Sequence, residues 1–139
     1  MAYRKPRVVP EISVGKLEDY ENFACTYSYV VVAFEDSYTR MAWSDKLIEA
    51  GFANIYLIYL KVYVSTSTQN NKECIIEPFA GANSNIFVGV CSIIKKKSLI
   101  NHNSIVAVGC CWESYSIVKT GAYVELHRVI EMRQTIECY

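Results

Sequence analysis

The stretch NIYLIYLKVYVSTSTQ, Asn54 to Gln69, holds ten nearly unbroken apolar or aromatic positions and then a run of small polar ones. A membrane helix needs about 20 apolar residues, whereas Ile55 to Val64 supplies half of that and includes Lys61. As an extended strand, the same segment would cover roughly 33 Å. In its last part, one face of the strand carries Tyr59, Lys61 and Tyr63. The stretch therefore predicts a central β-strand that runs out to a partly wet edge.

Other apolar runs predict further strands of the same kind. They span residues 22–35, 74–79, 86–94 and 104–112. Residues 122–138 are ambiguous between strand and helix, but their even-numbered positions are mostly apolar and their odd-numbered positions mostly polar, which favours a long, bent strand. We detect no internal repeat, linker or low-complexity block. The pattern predicts a mainly β protein, an antiparallel β-sandwich or barrel that includes the jelly roll among its forms.

One short helix is predicted near residues 44–50, within the segment WSDKLIEAGF. Ser44 is placed to accept a hydrogen bond as the N-cap, and Gly51 stands just past the expected C-cap. Phe52 would then pack against Leu47, the contact that accompanies a glycine stop. The domain organisation predicted with it is a flexible N-terminal arm over residues 1–10 and one β-rich domain over residues 11–139.

The charge balance argues against a nucleic-acid protein. Fourteen basic and fourteen acidic residues cancel and the pI is near 6.7, whereas proteins that neutralise phosphates carry a basic excess. Two small clusters could at most add a weak, salt-dependent accessory contact. These are Arg4, Lys5 and Arg7 in the arm, and Lys95, Lys96 and Lys97 in a loop.

The six cysteines are expected to be free thiols. No apolar stretch near the N-terminus has the length of a signal peptide, so we expect an intracellular, reducing compartment or a virion rather than secretion. No Cys-x-x-Cys or His-x-x-x-His spacing occurs, and neither a metal site nor a cofactor is expected. Pairing His102 with Cys91 or Cys111 would give a nucleophile, but an apolar strand raises the pKa of a thiol, which favours structural roles.

The chain contains eleven tyrosines, which are candidates for a contact surface. Tyrosine lines the edges of cores and is enriched at interfaces. The interface candidates are Tyr27, Tyr29, Tyr59, Lys61 and Tyr63. Because no catalytic cluster stands out, the leading hypothesis is a non-enzymatic, self-associating structural protein, such as a viral coat, matrix or inclusion protein that forms homo-oligomers. The alternatives are a small-ligand-binding β-barrel or sandwich and a small cysteine-dependent enzyme.

Overall fold

The computed structural model describes residues 15–70 and 73–138, so the arm predicted at residues 1–10 lies outside the described residues. A short N-terminal unit comes first. It consists of the 3₁₀ helix η1 (Leu17–Asp19), helix α1 (Tyr20–Phe23), strand β1 (Tyr29–Val30), helix α2 (Ser37–Glu49) and strand β2 (Ala53–Asn54). Strands β1 and β2 pair in parallel, with α2 as the crossover.

From Leu57 onward a two-residue strand begins at every sixth residue. The strands are β3 (Leu57–Ile58), β4 (Tyr63–Val64), β5 (Gln69–Asn70), β6 (Ile75–Ile76), β7 (Gly81–Ala82), β8 (Phe87–Val88), β9 (Ile93–Ile94), β10 (Leu99–Ile100), β11 (Ile105–Val106), β12 (Cys111–Trp112), β13 (Ile117–Val118), β14 (Tyr123–Val124), β15 (Val129–Ile130) and β16 (Thr135–Ile136).

These strands stack into three parallel sheets. Sheet I contains β3, β6, β9, β12 and β15; sheet II contains β4, β7, β10, β13 and β16; sheet III contains β5, β8, β11 and β14. Each strand pairs with the one a full coil later, as Leu57 does with Ile75. The chain thus winds as a left-handed β-helix, a three-sided solenoid in which one coil takes eighteen residues.

A column of apolar side chains fills the inside of the solenoid. From β6 onward the second residue of each strand points inward, and these residues are almost fully buried: Ile76, Ala82, Val88, Ile94, Ile100, Val106, Trp112, Val118, Val124, Ile130 and Ile136. Each fully buried aliphatic side chain contributes about 1.5–3 kcal/mol. Burial at every sixth residue is therefore the force that holds successive coils in register.

Small residues stand two positions before most of these inward residues. Ser98, for example, donates from Oγ to the Glu113 carbonyl at 3.0 Å, and the Cys110 thiol donates to the Glu125 carbonyl at 3.0 Å. Each of these bonds reaches the next coil, so the buried hydroxyls and thiols satisfy backbone groups at the turns.

Each coil turns at three corners, and the corner residue usually has a positive φ. The first corner joins sheet I to sheet II and holds Lys61, Phe79, Lys97, Tyr115 and Arg133. The second joins sheet II to sheet III, with Asn85, Asn103 and Gly121 at positive φ. The third joins sheet III to sheet I and holds Glu73, Cys91, Gly109 and His127. Most of these residues are neither glycine nor asparagine, so the left-handed conformation costs about 1–2 kcal/mol at each of them.

Helix α2 is longer than the helix predicted near residues 44–50. Its N-cap is Asp36, whose carboxylate accepts from the Thr39 N–H at 2.7 Å, and Ser44 lies buried inside the helix. The end is as predicted: Gly51 has a φ of 100°. The Phe52 N–H donates to the Leu47 carbonyl at 3.0 Å, and both side chains are buried in one cluster.

The predicted antiparallel sandwich or barrel is wrong, because every pairing within sheets I to III is parallel. The expectation that no repeat exists is wrong as well. A period of six contains a period of two, so each apolar run looked like one alternating strand. The run at residues 86–94 is in fact β8, a left-handed corner at Cys91, and β9. Likewise, residues 122–138 are β14, β15 and β16 joined by corners.

Candidate functional site

The second corner carries a ladder of polar side chains that repeats from coil to coil. The Asn83 amide donates to the Asn101 side chain at 3.1 Å, and the Asn85 amide donates to the Asn103 side chain at 3.3 Å. Both bonds join residues one coil apart. They brace the corner on either side of one exposed imidazole, that of His102.

Ser84, one coil earlier, holds the His102 ring at a single nitrogen. The Ser84 hydroxyl lies 2.6 Å from His102 Nδ1, and the Ser84 backbone N–H donates to the same nitrogen at 3.3 Å. The backbone is fixed too, because Asn103 N–H donates to the Ser84 carbonyl at 3.2 Å and Gly121 N–H donates to the His102 carbonyl at 2.9 Å. With Nδ1 engaged and the ring exposed, Nε2 is the atom that a bound molecule can reach.

An apolar column lies directly beside this corner. The outward residues of β8, β11 and β14 in sheet III are Phe87, Ile105 and Tyr123, which are 40%, 49% and 59% exposed, whereas β5 of the same sheet presents the polar Gln69. His102 precedes Ile105 in the same coil, so the imidazole stands at the rim of an uncovered apolar face. A ligand or a second protein surface on that face would exclude water next to Nε2, and low polarity strengthens any hydrogen bond made there.

The third corner also holds a histidine, but there the helix α2 covers it. His127 Nδ1 lies 2.9 Å from the Ser37 hydroxyl, and the Tyr38 ring stacks on the imidazole with centroids 4.1 Å apart. Arg40, fully buried, donates to the carbonyls of Cys91, Phe34 and Glu35. His127 is therefore part of the contact between the N-terminal unit and the solenoid.

The cysteines do not form a nucleophile with His102. Cys91 lies on the third corner and Cys111 on sheet I, whereas His102 is on the second corner. Burial raises the pKa of the Cys91 thiol to about 12, aided by its bond to the Glu73 carboxylate. Burial also raises the pKa of Cys110 and Cys111. These thiols stay protonated at neutral pH, and no disulfide joins cysteines of the described residues.

Of the basic residues proposed as accessory nucleic-acid contacts, Lys95, Lys96 and Lys97 lie within the described residues. Arg4, Lys5 and Arg7 lie outside the described residues. The Lys95 ammonium is held between the carboxylates of Glu35 and Glu113 at 2.9 and 2.7 Å. The Lys96 N–H donates to the Glu77 side chain, and Lys97 lies over the Tyr115 ring. Nothing in this arrangement supports a nucleic-acid contact.

The tyrosine interface candidates fall into two separate places. Tyr59 and Tyr63 flank the first corner, 47% and 63% exposed, with Lys61 over the Phe79 ring between coils. Tyr27 and Tyr29 instead line an open apolar trough of about 560 Å³ in the N-terminal unit. The structure does not bring the five residues together, and their role at an interface stays a prediction.

Neither a membrane-spanning helix nor a cluster of metal ligands occurs within the described part of the chain. Over residues 15–70 and 73–138, no helix has the length and apolar character needed to cross a bilayer. In the same ranges, no group of three or more His, Cys, Asp or Glu side chains is arranged to hold a metal ion.

Comparison with known proteins gives matches of fold. No family model and no curated protein matches the sequence. The structure of PerB from Caulobacter crescentus in complex with CoA and GDP-perosamine matches with a TM-score of 0.54 at 15% identity, over 95% of this chain and 76% of that chain. A mutant perosamine N-acetyltransferase from Caulobacter crescentus is also similar, with a TM-score of 0.39 at 16% identity, over 88% of this chain and 70% of that chain. The acetyltransferase domain of PglB from Neisseria gonorrhoeae has a TM-score of 0.37 at 17% identity, over 83% of this chain and 61% of that chain.

The prediction of a non-enzymatic coat, matrix or inclusion protein is wrong, and so are its sandwich, capsid and virion attributes. The finding that overturns it is the parallel solenoid fold, which this chain shares with PerB, a protein solved in complex with CoA and GDP-perosamine. The barrel or sandwich alternative is wrong with the fold, because the described strands form a parallel solenoid. Burial raises the pKa of Cys91, Cys110 and Cys111, which argues against these three thiols as nucleophiles. The sequence held one usable signal that was missed: His102 lies between two asparagines, with Ser84 and two more asparagines eighteen residues earlier. The likeness to PerB shows the left-handed solenoid fold of this chain.

Proposed function

We propose that the chain is an acyltransferase that moves an acyl group from a coenzyme A thioester to the amino group of a small, sugar-like acceptor. The observation that carries the proposal is the His102 imidazole, held at Nδ1 by Ser84 and exposed beside the apolar face of sheet III. The solenoid fold supports the choice of reaction class, because PerB, which has that fold, was solved with CoA and an amino-sugar nucleotide.

The reaction needs few protein groups. The amine nitrogen attacks the thioester carbonyl carbon, a C–N bond forms, the C–S bond breaks, and the amine proton ends on the departing thiolate. A polar group at the reacting atoms and exclusion of water are the protein's main contributions. His102 can supply the first through Nε2, and a covered sheet III would supply the second.

We also propose that sheet III is covered by a second copy of the chain, so that the protein is a homo-oligomer. Phe87, Ile105 and Tyr123 form a continuous apolar column, and aromatic and aliphatic residues of this kind occupy interface centres. The partner would close the second corner over His102. A reducing compartment, in which cysteine side chains stay reduced, belongs to the same proposal.

Acyl transfer can be tested with the full chain, acetyl-CoA and a panel of amines that includes amino-sugar nucleotides, by following release of the free CoA thiol. We expect acceptor-dependent release that falls about 100-fold or more in the His102→Asn variant, the usual contribution of a positioned side chain that moves or donates a proton. His127→Asn is the matched control and should change the rate by no more than about threefold, since His127 lies under α2.

Two outcomes would overturn the proposal. The first is the absence of acceptor-dependent thiol release from folded wild-type protein across the panel. The second is an equal loss of rate in both histidine variants while their thermal unfolding matches that of the wild type, since His102 would then have no special place in the reaction.

A further inference from the structure

Ser84 places two polar groups, its backbone N–H and its hydroxyl, beside one nitrogen of His102. Its backbone N–H points at Nδ1 at 3.3 Å, and its hydroxyl lies 2.6 Å from the same atom. A backbone N–H can donate and cannot accept. Nδ1 must therefore offer a lone pair, and in the neutral imidazole the single ring proton then resides on Nε2.

The backbone around this contact leaves little freedom to reverse it. Ser84 lies between β7 and β8, and its carbonyl accepts from the Asn103 N–H of the next coil at 3.2 Å. The Asn83–Asn101 and Asn85–Asn103 side-chain bonds clamp the same two coils on both sides of the imidazole. A proton on Nδ1 would face the hydrogen of the Ser84 backbone N–H. Only a shift of the coils or a rotation of the ring would move these two hydrogens apart.

We infer that Ser84 is a positioning residue that keeps the outward Nε2 of His102 protonated, so that His102 acts as a hydrogen-bond donor to the thioester carbonyl oxygen. This inference rests on the proposed acyl transfer. The neutral imidazole in this tautomer has no free lone pair on Nε2 and does not take the proton of the attacking amine. The amine attacks in its neutral form, negative charge develops on the carbonyl oxygen, and the Nε2–H bond stabilises it. The C–S bond then breaks, the amine proton ends on the departing thiolate, and the imidazole ends as it began.

The tautomer can be measured without any substrate. In full-length protein labelled with ¹⁵N-histidine, at a pH about two units above the ordinary imidazole pKa of about 6.5, two-bond ¹H–¹⁵N spectra separate protonated from unprotonated ring nitrogens. His127→Asn assigns the two rings. We expect His102 to show a protonated Nε2 and an unprotonated Nδ1. A protonated Nδ1 in the folded wild type would overturn the inference.

Serine variants test whether Ser84 causes this state. Ser84→Ala removes the hydroxyl at 2.6 Å and leaves only the longer backbone N–H contact at 3.3 Å, so a population protonated on Nδ1 should appear, whereas Ser84→Thr should restore the wild-type spectrum. Ser67→Ala is the matched control, because the Ser67 hydroxyl bonds the Asn85 N–H at 3.0 Å on the same corner and makes no contact with His102. A tautomer that responds equally to both alanine variants, or to neither, would contradict a positioning role for Ser84.

Two substitutions at His102 distinguish a role as hydrogen-bond donor from a role as general base. The amide nitrogen of His102→Gln can donate near the place of Nε2 but cannot accept a proton, and His102→Ala offers neither group. We expect the Gln variant to transfer acyl groups at least about tenfold faster than the Ala variant, the worth of about one hydrogen bond. Equal loss would overturn the donor role. If wild-type protein transfers no acyl group, the proposed function fails, and the NMR spectra still decide the tautomer.

Discussion

The second and third corners of the solenoid are built on the same six-residue frame, yet they treat their histidines differently. On the second corner, His102 is exposed, with one nitrogen held by Ser84 in the preceding coil. On the third corner, Tyr38 of helix α2 stacks on His127 and the Ser37 hydroxyl approaches Nδ1. The backbone ladder is the same at both places. The difference comes from what packs on the corner from outside.

This contrast shows that one repeating scaffold can form a candidate binding site at one corner and a packing contact with the N-terminal unit at another. The third corner is the docking surface of the N-terminal unit, anchored by the buried Arg40 guanidinium and by the Lys95–Glu35 ion pair. The second corner carries only its own polar ladder. A side chain on it can meet a substrate because no element of the described chain lies over it.

Removing the anchor of the third corner should have the largest effect. Arg40→Met leaves the carbonyls of Cys91, Phe34 and Glu35 without their donor, and we expect the free energy of unfolding to fall by about 3 kcal/mol. Urea denaturation measures it. Lys46→Met is the control on the same helix: Lys46 lies over the Trp43 ring at the surface, and its loss should cost under about 1 kcal/mol. Equal losses would mean that Arg40 does not anchor the helix.

Substitution of one positive-φ glycine on each corner compares how closely the two corners are packed. Gly109→Ala and Gly121→Ala each force alanine into a left-handed conformation, with φ values of 72° and 75°, at about 1 kcal/mol. At Gly109 the new Cβ would also lie 2.5 Å from His127 Nδ1, whereas at Gly121 the nearest atom is Cys138 Sγ at 3.4 Å. Displacing the ring from Ser37 adds about 1 kcal/mol. Chemical denaturation should therefore show about twice the loss for Gly109→Ala, and equal losses would contradict a close-packed third corner.

The smallest expected effect is a loss of stability in acid. The hydrogen bond and charge of Lys95 lower the pKa of Glu35, and the bonds from Thr39 lower the pKa of Asp36 at the start of α2. Because these pKa values are lower in the folded chain, the stabilisation is complete above the unfolded values. It is lost as the pH falls through the folded ones, below about pH 4.5.

The acid effect can be assigned with two variants. Asp36→Asn keeps an oxygen that can cap α2 but removes its titration, so urea midpoints measured from about pH 6 to pH 3 should fall less steeply than in the wild type. Asp45→Asn, at an exposed position on the same helix, should keep the wild-type slope. If both variants follow the wild type, Asp36 does not contribute to the acid sensitivity.

The candidate site was only partly accessible to sequence reasoning. Sequence reasoning places His102 in a loop and offers Cys91 or Cys111 as its partner in a nucleophile, but the structure places these cysteines on other sides of the solenoid. It gives Ser84 no role, because a contact across eighteen residues has no local signature. Recognising the pair would have required the coil length, and the coil length follows from the repeat that the alternating pattern concealed.

The sequence by itself determined the local preferences of this chain: apolar residues at alternating positions, the glycine stop of α2 at Gly51, and thiols placed in apolar runs. Only the tertiary structure decided where the extended runs bend. Corners at residues such as Phe79, Cys91 and Tyr115 lack a glycine or asparagine signal and are locally unfavourable. They form because the inward side chains of successive coils are buried against one another and the backbone bonds join residues a coil apart. The stabilisation from this burial and these bonds depends on residues a coil apart, so it cannot be inferred from a short stretch of sequence.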